Sequence, residues 1–140
     1  MRSEKRGVVE NNTSHRIIRF LWLWLPVIIV MLAIMFVSAI PSDKKPGDPF
    51  QHADKCAHFM AYGILALTLY RAIRLSVPGR SRAYHAFMTI VVAALYGITD
   101  EGHQHFVPGR SMSPYDLMAD TIGASIAAVV MNLTRMIGGR

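Results

Sequence analysis

Residues 20–40, FLWLWLPVIIVMLAIMFVSAI, form an apolar stretch of 21 residues that contains no charged side chain. A helix rises about 1.5 Å per residue, so a stretch of this length spans about 30 Å, the thickness of a bilayer's hydrocarbon core. The apolar core of a secretory signal is shorter, at about 7–15 residues. The stretch therefore predicts a transmembrane helix that stays in the protein as an anchor.

Three further apolar runs follow, at residues 56–72, 83–99 and 117–137. Turn-forming Pro-Gly pairs stand in the connections before the third and the fourth run, at 78–79 and 108–109. Hydrophobic residues make up 52% of the chain and charged residues only 17%, whereas soluble domains carry about 25% charged residues. We expect an all-α fold, a bundle of four transmembrane helices at 20–137, with a basic arm at 1–19 and a short tail at 138–140.

The net charge of +6 does not indicate nucleic-acid binding, because the basic residues lie between the apolar runs. Eleven Lys and Arg residues precede the first run, lie in the second connection or close the chain, and four lie in the first and third connections. Basic residues accumulate on the cytoplasmic side of membrane proteins. Both termini are therefore predicted to be cytoplasmic, and the first and third connections to face outward.

Most polar residues at membrane level belong to the ends of the runs that this topology places on the outer side. Asp54 and His58 are four residues apart at the start of the second run, so they share one helix face. Asp116 and Asp120 have the same spacing at the start of the fourth run, and Glu101 follows the third. The sequence therefore predicts a polar site where three helix ends meet.

The candidate site consists of the polar and aromatic residues at this boundary. They are Asp54, Lys55, His58, Tyr62, Glu101, Gln104, Arg110, Asp116 and Asp120. Burying an acidic side chain in lipid costs about 2.5–3.5 kcal/mol, so we expect the carboxylates to face the bundle interior, paired with Lys55, Arg110 or a histidine. Two roles fit these residues. The cations bind the phosphate or carboxylate of a ligand, or the whole set only fastens the helix ends together.

Catalysis and metal binding are two further hypotheses for the same residues. Glu101 is a candidate acid–base group, but the sequence contains no nucleophile elbow or comparable catalytic signature, so whether the protein is an enzyme stays open. His103 and His105 point in different directions if they lie on a helix, and no HExxH spacing occurs. We therefore expect no metal site and no cofactor.

Four motifs carry a resemblance to a known family. They are Asp54-Lys55-x-x-His58-x-x-x-Tyr62, Tyr96-Gly97-x-x-x-Glu101-x-x-Gln104, Pro108-Gly109-Arg110 with Ser113, and Asp116-x-x-x-Asp120-x-x-Gly123-Ala124. In this order and spacing, over about residues 54–128, the chain resembles the VanZ-like family. Asp120 departs from the family pattern, which often has Asn there. The resemblance implies a small bacterial membrane protein of the cell envelope, in a family named for a link to glycopeptide-antibiotic resistance. It does not imply a particular reaction.

The resulting prediction is a multi-pass protein of the bacterial cytoplasmic membrane that binds an anionic or amphiphilic envelope molecule, such as a lipid-linked precursor or a glycopeptide. One alternative is a membrane-embedded enzyme that acts on a lipid-linked substrate, with Glu101 as its acid–base group. The other is a structural subunit that binds a partner protein. The bilayer is the one partner that all three alternatives share, and none of them involves nucleic acid.

Overall fold

The computed structural model describes residues 2–42 and 51–137, with side chains described for residues 15–42 and 54–134. Within these ranges the chain forms four α-helices and no strand, which confirms the predicted all-α fold. The helices are α1 (Arg2–Ser38), α2 (Gln51–Ser76), α3 (Arg82–Gln104) and α4 (Pro114–Ile137).

All four helices are long and apolar enough to cross a membrane. Their apolar portions are His15–Ser38, Asp54–Ser76, Arg82–Gln104 and Pro114–Thr134, which contain 24, 23, 23 and 21 residues. Helices of these lengths extend about 32–36 Å, slightly more than a bilayer's hydrocarbon core of about 30 Å. The prediction of a four-helix transmembrane fold is confirmed.

The orientation in the membrane stays a prediction. Part of the charge pattern behind it falls outside the described side chains, as does the whole predicted tail at 138–140. The basic residues concerned are Arg2, Lys5, Arg6, Lys44, Lys45, Arg135 and Arg140.

Serine side chains cap the starts of α3 and α4. Ser81 precedes α3, and its side chain accepts a hydrogen bond from the backbone N–H of Tyr84 at 3.1 Å. Ser113 does the same for α4 by accepting from the N–H of Asp116 at 3.3 Å, and Pro114 occupies the first helical position. Such caps satisfy N–H groups that have no partner within the helix. The acidic residues of the candidate site lie on helices, whereas Arg110 lies in the connection between α3 and α4.

Helix α2 is the centre of the bundle and contacts each of the other three. Tyr62, Leu65 and Ala66 on α2 are completely buried. Helix α1 lies at the edge, and its large apolar side chains, such as Leu32 and Phe36, are mostly exposed on the surface that faces lipid in a membrane. Consecutive helices run antiparallel. The ends of α1 and α3 therefore lie at the same end of the bundle as the starts of α2 and α4.

Small residues on α3 and α4 allow α2, α3 and α4 to approach closely. A Cβ atom added to Gly123 on α4 meets the backbone of Phe59 on α2. One added to Gly97 on α3 lies 3.0 Å from Leu117 Cδ1 and 3.3 Å from Asp120 Oδ2. These contacts bring the first turns of α4 against the last turns of α3, where the candidate site lies.

Candidate functional site

Seven buried polar side chains gather at one end of the bundle, where α1 and α3 end and α2 and α4 begin. We call them the polar cluster: Ser38, His58, Asp100, Glu101, Gln104, Asp116 and Asp120. Each is at least nine-tenths buried. Buried polar groups normally have hydrogen-bond partners, so the partners of each side chain indicate what the cluster does.

His58 and Asp120 form the buried pair at the centre of the cluster. His58 Nδ1 lies 2.9 Å from Asp120 Oδ1, and the two side chains are 8% and 0% exposed. The ring of Tyr62, one helical turn after His58, stacks against the imidazole with ring centroids 6.5 Å apart. Asp120 Oδ2 and the Tyr62 hydroxyl are buried and have no hydrogen-bond partner among the described residues.

Glu101 connects α3 to the start of α4. Its Oε2 accepts a hydrogen bond of 2.6 Å from the backbone N–H of Ser113, the residue that caps α4. Its other oxygen, Oε1, is buried and has no partner among the described residues. Glu101 is completely buried. One of its carboxyl oxygens therefore holds the loop before α4, and the other has no hydrogen-bond donor among the described residues.

Asp100 connects α3 to α1. Its Oδ2 accepts hydrogen bonds from Ser38 Oγ at 3.0 Å and from Gln104 Nε2 at 3.2 Å. Gln104 Nε2 also lies 3.3 Å from Ser38 Oγ, which accepts from it. This small network fixes the last turn of α1 against α3 through neutral donors.

Arg110 caps the end of α1 and, within the described part of the chain, pairs with no acidic side chain. Its Nε donates to the carbonyl of Ile40 at 2.9 Å, its Nη2 to that of Val37 at 3.1 Å, and its Nη1 to Gln104 Oε1 at 3.4 Å. Of the three partners expected for the carboxylates, the described residues show Lys55 and a histidine in that role, and not Arg110. The physical reason is that the last carbonyls of a helix lack intrahelical donors, and α1 has no basic residue in its own last turn.

Lys55 pairs with Asp116 at the surface of the cluster. Lys55 Nζ lies 3.5 Å from Asp116 Oδ1, with side-chain exposures of 40% and 10%. The same ammonium group lies 6.0 Å from the centre of the Tyr115 ring. The expected pairing of Lys55 with an acidic residue is thus present, although its exposed position makes it a weak contributor to stability.

A pocket of about 330 Å³ lies between α1 and α2 and ends at the cluster. Its walls are mostly apolar and come from both helices, whereas four polar residues close one end. The apolar part is formed by Ile29, Val30, Ala33, Ile34, Val37, Ala57, Ala61 and Ile64 with the ring of Tyr62, and the polar end by Ser38, Asp54, His58 and Arg110. A lining with one apolar and one polar end suits an amphiphilic molecule.

The profile of the VanZ/LLP1 family matches residues 2–135, almost the whole chain. The chain belongs to the VanZ/LLP1 family. No curated protein and no solved structure matches it. The VanZ/LLP1 match extends over α1, which carries none of the motifs that indicated the resemblance in the sequence.

In this VanZ/LLP1 protein the predicted site residues all lie near one end of the bundle, but they do not form one contact network. His58, Glu101 and Asp120 come together in its centre, with one potential ligand atom from each within 4.8 Å of the others. Lys55 and Asp116 form the outer pair. The remaining predicted residues are Asp54 and Tyr62 on the pocket wall, with Gln104 and Arg110 at the end of α1.

Two residues of the cluster are missing from the predicted site. Ser38 is the last residue of α1, and Asp100 precedes Glu101. Asp100 and Gln104 are four residues apart and share a helix face, a spacing that indicates their contact. Ser38 carries no comparable signal, because a lone serine in an apolar helix is common and its partner lies 62 residues away.

Proposed function

We propose that this protein is a multi-pass VanZ/LLP1 protein of the bacterial cytoplasmic membrane that binds an amphiphilic envelope molecule. The apolar chain of the ligand lies in the pocket between α1 and α2, and its anionic head group lies at the polar end, beside Arg110. The observation that carries this proposal is the pocket itself, whose apolar walls lead to Ser38, His58 and Arg110.

The length of the pocket supports a lipid-like chain. It extends along α1 from Ile29 to Ser38, which is about 14 Å at 1.5 Å per residue and close to the depth of one leaflet. Ile29 and Ile64, on the two helices that form its walls, are 56% and 50% exposed. Such a pocket is open sideways, so a chain enters it from the surrounding bilayer.

The head group has to supply most of the selectivity. Lipid tails are as apolar as the pocket, so a chain gains little hydrophobic free energy by leaving the bilayer. A guanidinium has five N–H groups, and three of the hydrogen bonds that they make are accounted for by Ile40, Val37 and Gln104. As far as the described residues show, two N–H groups of Arg110 remain for a phosphate or carboxylate oxygen. The predicted topology places this end on the outer side of the membrane, where envelope precursors are assembled or exposed.

The test uses dodecyl phosphate as the probe and the chain purified in a neutral detergent. Native mass spectrometry or equilibrium dialysis measures its binding to the wild type, Ala33→Trp and Leu32→Trp. Ala33 lines the pocket, whereas Leu32, its neighbour on α1, is 64% exposed and lies outside it. Since Trp at 33 fills the pocket and Trp at 32 faces lipid, we expect Ala33→Trp to lose at least about tenfold in affinity, or about 1.4 kcal/mol, and Leu32→Trp to bind as the wild type does.

Equal binding by the two Trp variants would defeat the pocket as the site. Dodecyltrimethylammonium has the same chain and a cationic head, so binding as tight as that of dodecyl phosphate would defeat the anionic preference.

Catalysis by Glu101 is tested separately with Glu101→Gln, which keeps an acceptor for the N–H of Ser113. An enzyme loses turnover in this variant but still binds its substrate, whereas a binding protein loses no activity because it has none. If the wild type binds neither amphiphile, the structural alternative replaces this proposal.

A further inference from the structure

The polar cluster contains more buried acidic groups than basic ones. Its four carboxyl groups, on Asp100, Glu101, Asp116 and Asp120, are each at most 7% exposed. Among the described residues, Lys55 pairs with Asp116 and His58 with Asp120. The nearby guanidinium of Arg110 donates to carbonyl and amide oxygens instead. Isolated carboxylates are strongly disfavoured at membrane depth, so the cluster as the described residues form it requires either protons or a further cation.

Three of these side chains have the arrangement that a cation needs. His58 on α2, Glu101 on α3 and Asp120 on α4 each offer one ligand atom, and the three atoms lie within 4.8 Å of one another. Ligands at about 2.1 Å from a metal ion are separated by roughly 3–4 Å, so a small side-chain adjustment closes the site. The carboxyl oxygens Glu101 Oε1 and Asp120 Oδ2 are completely buried and have no hydrogen-bond partner among the described residues.

We propose that His58, Glu101 and Asp120 bind one divalent transition-metal ion. Two carboxylates, a neutral imidazole and a dication have no net charge, which removes the cost of burying the two acids. An imidazole nitrogen together with carboxylate oxygens suits Zn²⁺ or Mn²⁺, whereas Ca²⁺ and Mg²⁺ prefer oxygen ligands alone. Three protein ligands leave a coordination position open, as in sites where zinc also binds water or another small ligand.

Tyr62 adds an independent observation beside the same site. Its side chain is completely buried, and its hydroxyl has no partner among the described residues. The ring stacks on His58, and its Cε1 atom and Asp120 Oδ2 both border the position of a Cβ on Gly97, at 3.5 and 3.3 Å. A phenol in this position provides a hydrogen bond to a molecule bound at the open coordination position, as outer residues of metal sites do.

Spacing rules did not predict this site because each ligand comes from a different helix. A second group, Asp54, His58 and Asp116, shares the histidine, and its ligand atoms also lie within 4.8 Å of one another. We favour the first group because Asp116 already pairs with Lys55, and because Asp54 is only half-buried. Since both groups need His58, substitutions of the carboxylates distinguish them.

The test uses the full chain, purified in detergent, freed of metal with EDTA and dialysed against Zn²⁺ alone. Elemental analysis should find one zinc per chain, and Co²⁺ in its place should give visible d–d absorption bands. Glu101→Gln and Asp120→Asn should each lower the zinc affinity at least about tenfold. The matched controls Asp100→Asn and Asp116→Asn, which also remove a buried acidic charge, should stay within about twofold of the wild type because neither residue is a ligand in the proposed site.

A wild type that binds no stoichiometric zinc overturns the proposal, as does Mg²⁺ binding as tightly as Zn²⁺. If Asp116→Asn loses as much zinc affinity as Asp120→Asn, the ion belongs to the other group, and the proposal is again overturned. If the ligand variants do not fold, the wild-type stoichiometry and a zinc-dependent rise of its melting temperature decide. The amphiphile is absent throughout and Ala33→Trp should bind zinc normally, so failure of this proposal and failure of the pocket proposal are separate results.

Discussion

Gly123→Ala is the substitution whose effect on the fold follows most directly from the structure. Gly123 is where α4 meets the backbone of α2. A Cβ at this position lies 3.0 Å from the carbonyl carbon of Phe59, 3.1 Å from its Cα and closer still to its carbonyl oxygen. Favourable contacts between carbon atoms lie at about 3.5–4.0 Å. The obstacle is helix backbone, which cannot rotate away as a side chain does.

The two helices therefore have to separate by about 0.5–1 Å. A gap of this width forfeits roughly a quarter to a half of the dispersion attraction between the atoms on either side. Overpacking a core by one methyl group typically costs about 1–3 kcal/mol. Since α2 and α4 form the most extensive helix contact in the bundle, we expect the upper part of that range, near 3 kcal/mol.

Gly63→Ala is the matched control on the facing helix. A Cβ at Gly63 meets only the carbonyl oxygen of Gly123, at an ordinary 3.7 Å. Alanine is favoured over glycine within a helix by up to about 1 kcal/mol, so this variant should be as stable as the wild type or slightly more stable. The free energy of unfolding is measured by SDS titration in mixed micelles with helical circular dichroism. If both variants lose stability equally, or neither does, the close approach at Gly123 is not what holds α2 and α4 together.

Two further predictions concern the orientation and the end of α1. Reporter fusions at Gly47 and Pro108 should report an external location and fusions at Pro78 and Arg140 a cytoplasmic one, and an external signal at Pro78 would contradict the predicted topology. Arg110→Lys should destabilise the protein by about 1–3 kcal/mol in SDS titration, because an ammonium group cannot donate to the carbonyls of Val37 and Ile40 in the same geometry. The control Lys55→Arg, at the exposed ion pair, should change the free energy of unfolding by less than about 0.5 kcal/mol.

The fold could be predicted because it depends on hydrophobic length. The uncharged stretch at 20–40 and the three later runs each predict a span, and the structure contains four such helices. The exact helix ends are less predictable from hydropathy. Helix α4 begins at Pro114, three residues before its apolar run, where Ser113 caps it, and α3 continues to Gln104, five residues past its run. A hydrophobicity pattern registers neither the cap nor the polar last turn.

The candidate site could be predicted as a region but not as a set of contacts. Helical spacing places Asp54 with His58 and Asp116 with Asp120 on shared faces, and the alternation of spans brings these faces to one end. It does not identify the partner across helices. In the central pair His58 contacts Asp120 on another helix, and Arg110 contacts carbonyl groups. A sequence does not indicate a contact with a backbone carbonyl, because every residue has a carbonyl group.

A metal site and a purely structural set of hydrogen bonds, which we call a polar clasp, predict different signs for the change in unfolding free energy on Asp120→Asn. A clasp needs only hydrogen bonds between neutral groups, such as that from Gln104 Nε2 to Ser38 Oγ, and buried charges are a costly way to fasten helices. Asp120→Asn keeps an oxygen for His58 but removes a charge whose second oxygen has no partner among the described residues.

In EDTA we therefore expect Asp120→Asn to be as stable as the wild type or more stable, by up to about 1 kcal/mol. Zinc at a hundred times its dissociation constant stabilises the wild type by about 2.7 kcal/mol, and the variant should gain far less. In SDS titration the variant should thus be at least as stable as the wild type in EDTA and less stable than the wild type in zinc. A clasp predicts instead that the variant is less stable by the same amount in EDTA and in zinc, because in a clasp the Asp120 carboxylate contributes its hydrogen bond to His58 whether or not an ion is present.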